Sequence, residues 1–212
     1  LIIAIVSFGY FSKDFRLDAS SDTLLLENDP DLKLLREIND RYGAKDFLVL
    51  TYSPKQEIIS DKSITSLSNL KQEIQSLEWV ESVITILDIP LLDSSDESLT
   101  ERLKNFKTLK SKNIDRSRGF KEILNSPVFR NFVISEDGSS TGIIVNLKRD
   151  KKLAELQILG GEKLEQYKDY LKTKNHQNIK EIRKIISKYN SNAKIFLGGI
   201  PMIADDMITF IK

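Results

Sequence analysis

The sequence predicts an α+β chain, built of sheet-and-helix layers and carrying a helical insert. Short, continuous β-prone runs (Phe47–Tyr52, Val80–Leu87, Gly142–Leu147) alternate with stretches in which apolar residues recur every three or four positions. An Asp137-Gly138 pair lies between two β-prone runs, and between residues 94 and 129 the composition turns basic and helical.

Residues 1–11, from Leu1 to Phe11, are almost wholly apolar, and the first charge is Lys13. The stretch is shorter than the roughly 20 residues of a complete membrane span. It also has no basic start or small-residue cleavage site of the secretory kind. It reads as the outer end of a transmembrane helix, with a buried N-terminal strand or helix as the alternative. Residues 12–45 form a linker and a helix. Ser20, Ser21 and Asp22 supply turns, Asp29-Pro30 opens the helix, and Leu32, Leu35, Ile38 and Tyr42 share one stripe that ends at Gly43.

Residues 46–93 read as strand, helix, strand. The first strand, Phe47 to Tyr52, is a buried run stopped by Ser53-Pro54. A helix follows from Asp61, as N-cap, to Leu77, with its stripe at Ile64, Leu67, Leu70, Ile74 and Leu77. The next strand spans Val80 to Leu87, and the unit predicts parallel strands joined by a right-handed crossover. Residues 94–129 form the helical insert. One helix carries Leu99, Leu103, Phe106 and Leu109, a shorter one Phe120, Ile123 and Leu124, and the basic excess reads as a solvated face.

Residues 130–200 begin with a hairpin: Phe132–Ile134, a turn at Glu136-Asp137-Gly138-Ser139, then Gly142–Leu147. A helical region from Lys151 to Tyr189 is broken at Gly160-Gly161 and ends in a stripe at Ile179, Ile182, Ile185, Ile186 and Tyr189. The last strand covers Lys194 to Leu197. Gly198 and Gly199 then make a tight structural turn, and Pro201 takes the first helical position of the terminal helix, 201–212. The order helix, βαβ, insert, ββαβ, helix predicts two sheet-and-helix layers of the ferredoxin-like kind.

Composition removes most chemistries. A net charge of +1 argues against a nucleic-acid partner. With no cysteine, disulfides and thiolate nucleophiles are excluded, and with His176 as the lone histidine, metal sites and hydrolase triads lack their parts. His176 lies in a polar stretch and reads as solvent-exposed, and Trp79 as core or rim packing. Asp205 and Asp206 are adjacent on a helix, point about 100° apart, and read as a surface pair. Gly198-Gly199 carries neither a Gly-x-Gly-x-x-Gly fingerprint nor a P-loop lysine. No residue is therefore assigned a catalytic, cofactor-binding or metal role, and the chain is expected not to be an enzyme and to need no cofactor. Periodicity names no substrate-binding residue.

Five stretches, in order along the chain, resemble the first large extracytoplasmic loop of resistance–nodulation–division (RND) superfamily exporters, in the MMPL and hopanoid-exporter-like branch. They are Leu17–Leu24, Asp46–Tyr52, Ser82–Asp88, Ile134–Gly142 and Leu197–Ile203. The resemblance implies a porter domain on the periplasmic side of a bacterial inner membrane. It also implies a first transmembrane helix before the loop, a second after it, and a companion porter loop of the same full-length protein as partner. The implied activity is export of hydrophobic or lipid-like substrates driven by a proton or ion gradient. The coupling acids of such exporters sit in membrane helices outside these residues. An apolar groove between the two layers is the expected substrate path. Two rivals remain: a soluble ferredoxin-like ligand-sensing or regulatory module, and the periplasmic domain of a protein-translocation auxiliary.

Overall fold

The computed structural model describes residues 9–10, 30–42, 46–94, 100–101 and 106–211. The chain divides into two compact units, Lys45–Ile203 and a second made of Leu1–Ala44 with Ala204–Lys212. The second unit contains helix α1 (Pro30–Tyr42), which begins where Asp29-Pro30 predicts. Of the stripe expected on α1, Ile38 is exposed, and the side chains of Leu32, Leu35 and Tyr42 lie outside the described residues, as do Gly43 and the apolar N-terminal run to Phe8.

The Lys45–Ile203 unit is α+β. Its strands are β1 (Phe47–Pro54), β2 (Val80–Ile84), β3 (Thr141–Leu147) and β4 (Ala193–Gly198), and they form one antiparallel sheet in the order β2-β3-β1-β4. Its helices are α2 (Asp61–Gln75), α3 (Arg116–Asn125), α4 (Lys151–Leu159) and α5 (Glu162–Ser187). Helix α6 (Ile200–Ile211) starts in this unit and continues into the other.

The sheet order corrects the expectation of two layers. β1 and β2 run in the same direction, but they do not touch: β3 lies between them and pairs antiparallel with both. β4 then pairs with the free edge of β1. The two strand–helix–strand halves therefore interlock in a single sheet. No groove can open between them without breaking backbone ladders.

Alternation along β1 decides which side is packed. Leu48, Leu50 and Tyr52 point to a face where they are at most 1% exposed. The same face carries Ile143 and Val145 of β3 and Val83 of β2, all buried. Onto it α2 lays Ile64, Leu67, Leu70 and Ile74, and α5 lays Ile179, Ile182, Ile185 and Ile186, as the helical spacing predicts. Each fully buried Leu or Ile contributes about 1.5–3 kcal/mol by leaving water.

Local chemistry explains the other boundaries. Ser60 caps α2, because its Oγ accepts from Ser63 N at 3.3 Å; Asp61, the expected cap, is the first helical residue. Pro54 ends β1 inside the ladder, opposite Ala193, since a strand's last residue can forgo its N–H. β2 stops at Ile84, three residues short of the expected Leu87. There the Thr85 side chain and Asp88 close a capping box over the single 3₁₀ turn Ile86–Asp88. Gly160 and Gly161 both take positive φ (64° and 82°) and separate α4 from α5, as expected.

The insert and hairpin depart further from expectation. Residues 100–101 are helical, but Phe106–Leu109 are not: Lys107 bridges Leu91, whose N–H donates to Lys107 O at 2.8 Å, and Leu109 is buried. The shorter helix, α3, forms as predicted behind its N-cap Asp115. Ser135 to Gly138 make the expected turn, with Gly138 at φ 70°. Phe132–Ile134, however, is no strand. Val133 N and Ile134 N both turn back to Phe129 O, and a single bridge, Ile134 to Thr141, stands for the first arm.

Candidate functional site

Among the described residues, the sheet's second face carries several exposed apolar side chains. Cross-strand partners share a face, so the register sets Ile84, Ile144, Val49 and Gly198 in one row across all four strands. Beside it lie Phe47, opposite Asn146, and Phe196, opposite Thr51. Phe47 is 50% exposed, Phe196 56% and Ile84 40%. The flanks are polar: Asn146 Nδ2 donates to Ser82 Oγ at 2.8 Å, and Ser53 Oγ lies 2.7 Å from Ser140 Oγ. This face has an apolar centre and a hydrogen-bonding rim, the composition of a surface that takes an apolar partner.

A second feature lies at the opening of α2. The C-terminal end of β1, the first turns of α2 and the turn before β4 bound a cleft of about 200 Å³ lined by Lys55, Lys62, Ser63, Ser66 and Asn192 among others. A shallower depression of about 440 Å³ continues it past Asn69 and Tyr189, sharing Lys62, Ser66 and Asn192. Burial pushes the Tyr52 hydroxyl beneath it above its usual range, and the nearby Ser66 hydroxyl opposes the shift. That proximity does not complete a hydrogen bond of ordinary geometry: Tyr52 OH reaches Ser63 O at 3.5 Å, and the buried Ser66 Oγ has no partner.

Charged groups elsewhere are structural clasps. Glu122 of α3 accepts the N–H groups of Leu92 (2.6 Å), Asp93 (3.0 Å) and Ser94 (2.8 Å), tying residues 92–94 to the helix. Burial acts to raise its pKa, but the Ser94 hydroxyl and these three N–H groups outweigh it and hold the carboxyl below its ordinary value. Asp88 behaves alike. Burial opposes ionisation, yet Lys71 and both the N–H and hydroxyl of Thr85 keep it low. Glu73 of α2 takes Lys188 Nζ and, at 2.7 Å, Tyr189 OH, which joins α2 to the end of α5. Asp137 is held down to about 2 by the hydroxyl of Ser135 and the N–H and hydroxyl of Ser139, which fixes the turn.

Of the residues singled out in the sequence, Gly199 is the one the turn depends on. Its φ is 120°, and a Cβ there would meet Phe47 O at 2.9 Å. Gly198 continues β4 on the open face, and Pro201 is the second helical residue of α6 rather than the first. Trp79 packs against the core and donates from Nε1 to Glu181 at 2.9 Å, and His176 is exposed. Asp205 is buried at 4% exposure while Asp206 is exposed, so the two do not form the expected surface pair. Among the described residues no cluster of three His, Cys, Asp or Glu could hold a metal ion, and no helix is long and apolar enough to cross a membrane.

The groove residues lie in three segments, near 55, 62–66 and 192, which no local pattern links. The one sequence signal is the pair Ser63 and Ser66, about one turn apart on α2. Compared with known proteins, the chain matches no family model and no curated protein.

Proposed function

We propose that this chain is the first extracytoplasmic porter domain of an RND-superfamily exporter of the MMPL and hopanoid-exporter-like branch, serving a proton-driven pump for hydrophobic or lipid-like substrates. On this reading it is not an enzyme. Its partners are the companion porter loop and transmembrane helices of the same full-length protein, and it stands on the periplasmic side of a bacterial inner membrane. The observation that carries the reading is the second sheet face, where among the described residues Ile84, Phe47 and Phe196 are exposed around the half-buried Ile144 and Val49. A domain that is half of a larger porter needs such a face, either for its companion or for an apolar substrate passing between them. The reading takes support from the strand order, which from the other edge is 4-1-3-2 with a helix after β1 and another before β4.

Three of the resembling stretches coincide with elements of the sheet framework, which supports the reading. Asp46–Tyr52 covers most of β1, Ser82–Asp88 the end of β2 with its capping box, and Leu197–Ile203 the junction of β4 and α6. Leu17–Leu24 lies outside the described residues. The substrate path moves accordingly, from a groove between two layers to the outer face of one sheet.

A reporter fused after Lys212 in the full-length gene product tests the reading. Extracytoplasmic activity in a protein that fractionates with the inner membrane is the expected result. A cytoplasmic, freely soluble product would overturn it in favour of the ligand-sensing module.

A further inference from the structure

The two edges of the sheet are finished differently. Along an antiparallel ladder, residues that exchange hydrogen bonds with the partner strand alternate with residues whose N–H and C=O point away from it. On β2 the register pairs Ser82 and Ile84 with β3, so Glu81 and Val83 turn their backbone groups outward. There the Gln75 side chain meets both. Its Nε2 donates to Glu81 O at 3.1 Å, and its Oε1 accepts from Val83 N at 2.8 Å. A side-chain amide thus stands where a neighbouring strand would, and that edge is closed.

On β4 the alternation is fixed by Lys55 N, which donates to Asn192 O at 3.1 Å. The register continues that pair through Ser53–Lys194, Thr51–Phe196 and Val49–Gly198, whose backbone groups therefore face β1. Those of Ala193, Ile195 and Leu197 face outward. Ala193 N donates to Tyr189 O at 3.0 Å. Among the described residues, nothing hydrogen-bonds to the N–H or C=O of Ile195 and Leu197, and both are partly exposed. No bulge interrupts this strand, since its register with β1 runs unbroken from Ala193 to Gly198.

The chemistry of such an edge calls for another strand, and β4 is complementary to itself. Antiparallel pairing about a two-fold axis at Phe196 sets Ile195 against Leu197 of a second copy, and Leu197 against that copy's Ile195. Each of these residues then exchanges both of its free backbone groups. The two Phe196 side chains, each 56% exposed, meet in a non-hydrogen-bonded pair, where cross-strand neighbours come closest. Lys194, whose Nζ lies 4.9 Å over its own Phe196 ring, stands opposite Gly198, so no like charges face each other. Other registers do worse. An axis at Ile195 would set Leu197 against Ala193, whose N–H is already used, and an axis at Leu197 would set Ile195 against Gly199, where φ is 120° and the strand has ended.

We propose that this chain self-associates through β4, joining the sheets of two copies into one continuous antiparallel sheet. The dimer does not rest on the exporter reading, because it uses the edge of the sheet and leaves the row Ile84–Ile144–Val49 for a companion. Two strand edges and one aromatic pair bury less than the roughly 1,200 Å² of stable complexes. The dimer therefore belongs with weak, transient ones, with a dissociation constant on the order of 100 µM.

Sedimentation velocity of the full 212-residue chain, from about 10 µM to about 1 mM, brackets that value, and hydrogen exchange over the same range reads the edge. The expected result is a monomer–dimer equilibrium in which the amides of Ile195 and Leu197 become protected as the dimer forms. The amides of Phe196 and Gly198, bonded to β1, should be protected throughout. Phe196→Lys places like charges face to face and should weaken dimerisation roughly tenfold or more while the melting temperature of the monomer holds, because the side chain is exposed.

The chain has no cysteine, so a single introduced one reports the register. Phe196→Cys, with Cα atoms about 4.5 Å apart across the axis, should oxidise to a covalent dimer. Lys194→Cys, about 14 Å from its twin, should not. A chain that stays monomeric at the highest concentration would overturn the proposal. So would protection of the Ile195 and Leu197 amides that is the same at every concentration, which would mean that the edge is covered within one chain. A dimer that leaves those amides unprotected, that survives Phe196→Lys, or that crosslinks equally at 194 and 196 would overturn it as well.

Discussion

Removing Glu122 should loosen the hold of α3 on residues 90–94, with the Arg118 guanidinium, which donates to Asp93 O at 2.6 Å, as a remaining tie. The carboxylate accepts three backbone N–H groups in succession, an arrangement more often supplied by a helix N-terminus or a ligand-binding loop. Leu92 and Asp93 are exposed, so in Glu122→Ala their N–H groups can turn to water at little cost. Ser94 is 5% exposed, and its N–H would be stranded. One stranded donor costs about 1–3 kcal/mol, and the two exposed bonds add a few tenths each, so the substitution should cost about 2–3 kcal/mol. In a domain of this size that lowers the melting temperature by roughly 4–12 °C.

Glu122→Gln isolates the charge. Because the native environment holds the carboxyl below its unfolded value, the charge stabilises the fold above the ordinary carboxylate range, and that stability is lost as pH falls through the lower folded-state value. The gap between wild type and Glu122→Gln should therefore be full at neutral pH and close in acid. Calorimetry across pH measures the gap, and hydrogen exchange at the Ser94 amide locates it. An unchanged melting temperature with unchanged Ser94 exchange, or a gap that widens in acid, would refute the assignment of Glu122 as the clasp.

Two further substitutions probe the frame of the sheet. Asp88→Asn replaces a carboxylate that serves Lys71 and both donors of the 1%-exposed Thr85, and should cost about 2 kcal/mol in urea denaturation at neutral pH, less in acid. Gly199→Ala should cost about 3 kcal/mol, because φ is 120° and the new methyl would press on Phe47 O and Leu48, whereas Gly198→Ala, whose Cβ would lie 3.7 Å from Val49 O, should be nearly neutral. Equal costs at the two glycines would show that the turn's conformation is not what Gly199 supplies.

What the sequence made legible is what depends on neighbours in the chain. The stripe from Ile179 to Ile186 and the break at Gly160-Gly161 appear where periodicity and paired glycines put them, because helical hydrogen bonds span four residues. The caps were off by one residue, since Ser60 and Asp61 are both good N-caps and only geometry chooses. The insertion of β3 between β1 and β2 could not be read, because register between distant strands leaves no local pattern. Phe132–Ile134 has the residues of a strand, but a reversal that begins at Asn131, with φ 62°, curls it back on Phe129 and limits its pairing to the one bridge at Ile134. The polar groove was hidden for the same reason as the sheet order: its residues meet only when β1, α2 and the turn before β4 are together.

The open face was written in the sequence in a form that only the structure makes readable. An antiparallel sheet with one side in water alternates apolar and polar residues, whereas a strand covered on both sides reads as a continuous apolar run. β1 begins Phe-Leu-Val-Leu, and the middle of β3 is Ile-Ile-Val, so both are of the second kind. Among the described residues of the Lys45–Ile203 unit, α2 and α5 pack one side, and Phe47, Val49 and Ile144 on the other are the residues that the alternation rule would have made polar. Ile84 at one edge and Phe196 near the other extend the same excess across the sheet. A surface composed as an interior is a surface built for a cover, and the partially polar rim at Ser82, Asn146 and Ser53 limits that cover to the central strip. That is the physical content of reading this chain as one half of a porter: the second half would supply the layer that the strand sequences already anticipate.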